Sequence, residues 1–226
     1  MKDKCLQLIG YHVNERICKA LRTACKMYPA CITQVLLDNN GIRDEGMQII
    51  LESLCELKYV KKLVVKNNEL SSYESLGWLR QLLGRIQPNQ LDELRLNNCK
   101  MSAQFIEDLF EIILECKSLR KFSLIRANIQ TVTSNMNTIT NLIKIIQNVK
   151  TLVELDISWN EMTPGSMKEI TAALASNRRI KYLNLSWNSM TTNENLGLRN
   201  LEKDPNKISK TETAIMDNLC EFMKYN

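Results

Sequence analysis

The sequence predicts an α/β solenoid, in which strand-turn-helix units stack side by side and no unit closes a core alone. Three observations predict it. The first is a duplicated phrase: Leu152-x-x-Leu155-x-Ile157-x-x-Asn160-x-Met162 returns 28 residues later as Ile180-x-x-Leu183-x-Leu185-x-x-Asn188-x-Met190. The second is the helix signal between the copies, where Thr163 can cap, Pro164 suits the first helical position, and Met167, Ile170 and Leu174 share one face. The third is the return of the strand phrase four more times toward the N-terminus, so that each unit must bury its apolar positions against its neighbours. The 226 residues therefore read as one elongated domain.

Taken in order, residues 3–28 read as a helix, because Val13, Ile17, Leu21 and Ala24 recur at intervals of three or four before Pro29 interrupts. Residues 1–30 are thus expected to be a helical cap without a strand of its own, covering the open end of a stack that runs over 31–190. The first strand is expected near 32–37, with Ile32, Val35, Leu37, Asn40 and Ile42 in the repeat positions and a helix from about Asp44 to Leu57 after it. The second, near 60–65, uses Val60, Leu63, Val65, Asn68 and Leu70, and its helix carries Leu76, Leu79, Leu83 and Ile86 until Pro88 stops it. The third, near 91–96, places Cys99 at a position that the repeat reserves for Asn or Cys, and Phe105, Leu109, Ile113 and Cys116 share the face of its helix.

The fourth strand, near 119–124, is the weakest, because Ala127 replaces the Asn whose side chain would satisfy backbone groups in the following loop, leaving Asn128 as the nearest substitute. Its unit is the longest, 33 residues from Leu119 to Leu152, which predicts a widened loop over 130–137 before a helix with Ile139, Leu142, Ile146 and Val149. The last two strands are expected near 152–157 and 180–185. Residues 191–226 read as a polar insertion containing Pro205, then a helix with Ser209 and Glu212 in capping-box spacing and Ile215, Leu219 and Phe222 on one face. No strand phrase follows, so the C-terminal end of the stack is expected to meet further repeats or a partner.

Composition narrows the function. Thirty basic against 25 acidic side chains leave a net charge of +5, mild for this length, so a dedicated nucleic-acid binder is not expected. The eight cysteines form no C-x-x-C pair and there is a single histidine, His12, within the expected cap helix, so neither a zinc site nor a Cys/His dyad has support. MKDKCLQLIG is too charged for a signal peptide, which points to a reducing, cytoplasmic setting and free thiols. The longest uncharged run, 127–143, is too rich in Asn and Thr to cross a membrane. No phosphate-binding Gly loop, H-E-x-x-H, G-x-S-x-G or Ser/His/Asp set is present, and Asp44 and Glu45 sit at a helix start, where the dipole favours them. No catalytic residue, metal or cofactor is expected.

The period of 28 or slightly more, the helical second half of each unit and the stretch DNNGIRDEGMQIILESL resemble the ribonuclease-inhibitor-like subfamily of leucine-rich repeats, over about residues 14–225. The resemblance implies a horseshoe with a parallel sheet on the concave side, helices on the convex side and about six repeats. Members of that subfamily include ribonuclease inhibitors, the activator of the GTPase Ran, tropomodulins and cilium-associated repeat proteins. The phrases LDISWN and NLSWN are most similar to the last group. The implied role is a non-catalytic protein-interaction scaffold, a subunit or region of a larger intracellular assembly such as a ciliary axoneme. The alternatives are a Ran-type GTPase activator, whose loop motif and acidic tail have no counterpart here, and an inhibitor enclosing a basic enzyme, which would want a more acidic concave face.

With the first, fourth and sixth repeat residues inward, the third, fifth and seventh point to the concave face. The third-position ladder is Gln34, Lys62, Glu93, Lys121, Glu154, Tyr182, in which alternating signs on adjacent strands satisfy one another. The fifth-position ladder is Leu36, Val64, Arg95, Ser123, Asp156, Asn184, where Leu36 and Val64 are expected to form a small exposed patch. The eighth, on the rim past the strand ends, is Asn39, Asn67, Asn98, Arg126, Trp159, Trp187. The two tryptophans should lie side by side, either as partly exposed anchors for a partner or packed against the loops that follow. Trp159, Trp187, Arg126, Leu36, Val64, Arg95, Asp156 and Tyr182 are the partner-binding candidates.

Overall fold

Alternation of apolar, mostly leucine, and polar residues in short runs produces, among the described residues, seven strands, all parallel and in chain order across one sheet. They are β1 (Cys5–Ile9), β2 (Gln34–Asp38), β3 (Lys62–Lys66), β4 (Glu93–Asn97), β5 (Lys121–Ser123), β6 (Glu154–Asp156) and β7 (Tyr182–Asn184). The structure is a computed structural model that describes residues 4–30, 32–85, 91–129, 137–190 and 210–225. Among these residues the connecting helices are α1 (Glu15–Met27), α2 (Asp44–Glu56), α3 (Tyr73–Leu83), α4 (Ala103–Glu115), α5 (Asn137–Asn148), α6 (Pro164–Ala175) and α7 (Lys210–Tyr225), each packed on the next.

Register locks the repeat phrases together. Val35, Leu63, Leu94, Phe122 and Leu155 are aligned partners on successive strands and are buried under the helices, as are Leu37, Val65 and Leu96 two residues on. A slip of one residue would turn each row to the opposite face. Asn14, Ser72, Ser102 and Thr163 cap their helices by accepting the amide three residues on. Helix α2 has no such cap, since Arg43 holds that place. The adjacent Asp44 instead accepts from the Ser71 and Ser72 amides, at 2.6 and 3.1 Å, tying its unit to the next.

The N-terminal segment corrects the sequence reading. Residues 5–9 are not helix but a strand paired with β2, and α1 begins only at Glu15. Leu6-x-Leu8-x-x-Tyr11-x-Val13 is the strand phrase with Tyr in the Asn place, and Gly10 turns the chain at φ 69°. The expected cap is therefore a repeat unit itself, making seven rather than six, and His12 lies in its turn at φ 47° rather than in a helix. The other strands begin about two residues later than expected, because the first repeat residue (Val60, Leu91, Leu119) is buried in the approach to the strand rather than paired in it. The expected Ile86 and Pro88 helix end, the widened loop at 130–136, the insertion at 191–209 and the Ser209 cap lie outside the described residues.

The loop after each strand hangs on a buried side-chain ladder. Asn188 Oδ1 accepts the amides of Asn160 and Met162, while its Nδ2 donates to the carbonyls of Ile157 and Leu185. Asn160, fully buried, repeats this one unit back, accepting from Ala127 N at 2.8 Å and donating to the carbonyls of Leu124, Ile157 and Ser158. Asn68 and Asn40 do the same toward the N-terminus. Cys99 keeps only the donor half, its thiol reaching the carbonyls of Val65 and Asn97, and Ala127 keeps neither. Burial of Cys99 pushes its thiol up to about 12, so it stays protonated and able to donate. All seven described cysteines are free thiols.

Candidate functional site

The sheet face turned away from the helices is closed at its centre by ion pairs. Lys62 Nζ lies 3.2 Å from Glu93, and Lys121 Nζ 3.5 Å from Glu154, as the alternating third-position ladder implied. Arg95, one of the fifth-position candidates, joins the two pairs into one network. Its Nε is 2.5 Å from Glu93 and an Nη is 2.6 Å from Glu154, across β5, where the small, buried Ser123 leaves room. Burial works to raise the Glu93 pKa, but hydrogen bonds from Arg95 and Lys62 outweigh it and hold the carboxyl below its ordinary value. Arg95 is held above its own, since its bonds to Glu93 and Glu154 outweigh the opposing effect of burial.

The expected exposed patch is not there. Val64 is buried, at 5% exposure, and Leu36, its aligned partner on the neighbouring strand, is half-buried. Asp156 is also engaged: one carboxylate oxygen accepts from the Ser158 amide and hydroxyl, the other from Asn184 Nδ2 at 3.1 Å. Tyr182, aligned with Glu154 on the last strand, is 68% exposed.

The rim divides into two halves. At the N-terminal side Asn98 donates to Asn67 at 2.6 Å and Asn67 to Asp38 at 2.7 Å, a polar chain along three units. At the C-terminal side the Arg126 guanidinium sits 4.3 Å over the ring centre of Trp159, which is stacked on Trp187 at 4.1 Å and 17°. Trp159 is 37% exposed and Trp187 66%. Three candidates that lie far apart in sequence are thus one continuous stack.

All six rim residues, from Asn39 to Trp187, adopt φ between 51° and 61°, as the repeat's turn requires. Asn tolerates this left-handed conformation, but for Arg and Trp it costs about 1–2 kcal/mol each. Local backbone preference therefore gives no reason for the stack, and such strain is characteristic of functional positions.

Sequence reading missed the second repeat position, just before each strand. Lys61, Asp92, Arg120 and Val153 occupy it, and together with Lys117 they line a cleft of about 560 Å³ at the entry edge of the sheet. The signal was present in the runs KYVKK and CKSLRK. Among the described residues no group of His, Cys, Asp and Glu is placed to hold a metal ion, and no helix is long and apolar enough to cross a membrane.

Residues 150–170 match the family described as "Leucine Rich repeat". The chain is 24% identical over 258 residues to the mouse (Mus musculus) protein "NACHT, LRR and PYD domains-containing protein 4E", an alignment covering 97% of this chain and 25% of that protein. The chain thus spans about a quarter of the length of the relative it matches. Among solved structures, a tropomodulin C-terminal domain from Caenorhabditis elegans aligns with TM-score 0.45 and 16% identity, over 69% of this chain and 90% of that one. Parallel strands in register, a helix after each and a buried asparagine ladder give this chain the architecture of a leucine-rich repeat solenoid, and the family match over residues 150–170 agrees with it.

Proposed function

We propose that the protein is a protein-interaction scaffold whose main docking point is the Arg126, Trp159 and Trp187 stack. One observation carries the reading: two stacked indoles stand exposed on the rim in a backbone conformation that disfavours them. Trp and Arg are the residues that most often dominate interface energetics, and a pre-stacked pair loses little side-chain entropy on binding. The ion-paired sheet centre supports this division, because Glu93, Arg95 and Glu154 already satisfy one another and offer a partner complementarity rather than affinity. The free thiols fit a reducing compartment. Placement in a ciliary axoneme rests on the LDISWN and NLSWN phrasing, and comigration of the native protein with axonemal complexes tests it.

The test of the docking point is the double variant Trp159→Ala, Trp187→Ala. It is expected to weaken capture of the native partner by more than about 1 kcal/mol, roughly fivefold, with cooperative thermal unfolding retained. Undiminished capture by a folded double variant would remove the stack from the interface.

A further inference from the structure

We infer that the entry edge of the sheet is a second binding site, independent of the aromatic rim, which takes an extended acidic peptide segment of a partner protein. Two adjoining clefts, of about 560 and 370 Å³, share Lys61, Asp92 and Arg120 along this edge. One row further onto the sheet, positive charges are neutralised by Glu93 and Glu154. Among the described residues the ion pairs of this region involve Lys62, Lys121 and Arg95. Lys61, Lys117 and Arg120 are in none of them and are exposed. Against these three cations the larger cleft carries one carboxylate, Asp92, which leaves an excess of positive charge.

The floor of the cleft decides the ligand class. Its hydroxyls and amides are already committed: Ser118 donates to the Leu91 carbonyl, Thr151 to the Leu119 carbonyl, and the amides of Asp92, Arg120 and Val153 to the preceding strands. A compact phosphate is best held by free backbone amides, and none of these is free. Long side chains are what the cleft presents, and they suit separate carboxylates. Lys61 and Arg120 occupy the same position two strands apart, about 9.6 Å at the usual strand spacing. A polyproline-type segment rises about 3.1 Å per residue with three residues per turn, so carboxylates at every third position recur on one face at about 9.3 Å. Half-buried Val153, on the next rung, offers that segment an apolar contact. A nucleic-acid backbone, with charge at every nucleotide, would instead be forced against Asp92 and Glu93.

Fluorescence anisotropy with a labelled peptide of repeated Glu-Pro-Ser tests the inference on the whole chain. Binding is expected to weaken with salt and to fall at least tenfold in the triple variant Lys61→Ala, Lys117→Ala, Arg120→Ala. It should be retained in Lys61→Arg, Lys117→Arg, Arg120→Lys, which keeps the charge. It should also be retained when Lys26, Lys144 and Lys168, exposed on the helix side, are changed to Ala. No binding by wild type, or an equal loss in the helix-side variant, would overturn the inference. So would tighter binding of a single-stranded oligonucleotide, or displacement of the peptide by inorganic phosphate at constant ionic strength. The Trp159→Ala, Trp187→Ala variant should bind the peptide like wild type, so failure of the aromatic site and failure of this one are told apart.

Discussion

Asn160→Ala asks how much of the array hangs on its asparagine ladder. The side chain is fully buried and makes one accepted and three donated hydrogen bonds. Two of the groups it serves retain another partner, since the Ile157 carbonyl also accepts from Asn188 Nδ2 and the Ser158 carbonyl from the Arg126 amide. The Ala127 amide and the Leu124 carbonyl lose the side chain that served them. At about 1–3 kcal/mol for each buried group stripped of its partner, the expected loss is about 3–4 kcal/mol. For a chain of this size that lowers the melting temperature by roughly 6–16 °C. Urea unfolding followed by circular dichroism, with tryptophan fluorescence in parallel because repeat arrays can unfold in parts, should show a lower midpoint at unchanged slope. Asn39→Gly, an exposed rim position already at φ 51°, is the contrast and should stay within about 0.5 kcal/mol. A loss below about 1 kcal/mol in Asn160→Ala would refute the view that this ladder supports the loops.

Three further outcomes are expected. Glu93→Gln should destabilise the protein by about 1–2 kcal/mol at neutral pH. Because the folded pKa of Glu93 lies below the usual 4.5, its contribution is present above that value and is lost as the pH falls through the depressed one. Wild-type and variant stabilities should therefore converge in acid, and a constant gap down to the lowest pH would contradict the network. Stacking at 4.1 Å predicts an exciton couplet between Trp159 and Trp187 in far-ultraviolet circular dichroism, and Trp187→Leu should abolish it while Trp78→Phe leaves it. Native alkylation at mildly alkaline pH, read by peptide mass spectrometry, should modify exposed Cys5 and Cys220 first. Cys99, at about 12, and Cys55, raised by burial to about 11, should react only on unfolding.

Much of this molecule is legible in one dimension. Leucine spacing names the inward rows, Pro164 after Thr163 names a helix start, and equal positions in successive units name the neighbours, which is how Trp159 and Trp187 can be placed together from the sequence. The first unit was less legible, because Tyr11 replaces the diagnostic Asn and the helical periodicity of Val13 to Ala24 extends the apparent helix backwards over the strand. The entry-edge cations escaped because a residue just before a strand carries no periodic mark.

By itself the sequence determined the stacking. Its repeat period makes every apolar row depend on the next unit, and the ladder asparagines bond backbone groups of the unit before as well as of their own. Tertiary structure alone decided which outward side chains remain available to a partner. The bridge from Arg95 across Ser123 to Glu154 and the seating of Arg126 on Trp159 both depend on where long side chains lean across neighbouring strands. A repeat pattern specifies which residues are adjacent, whereas the reach of each side chain over its neighbours is set by local size and charge in three dimensions.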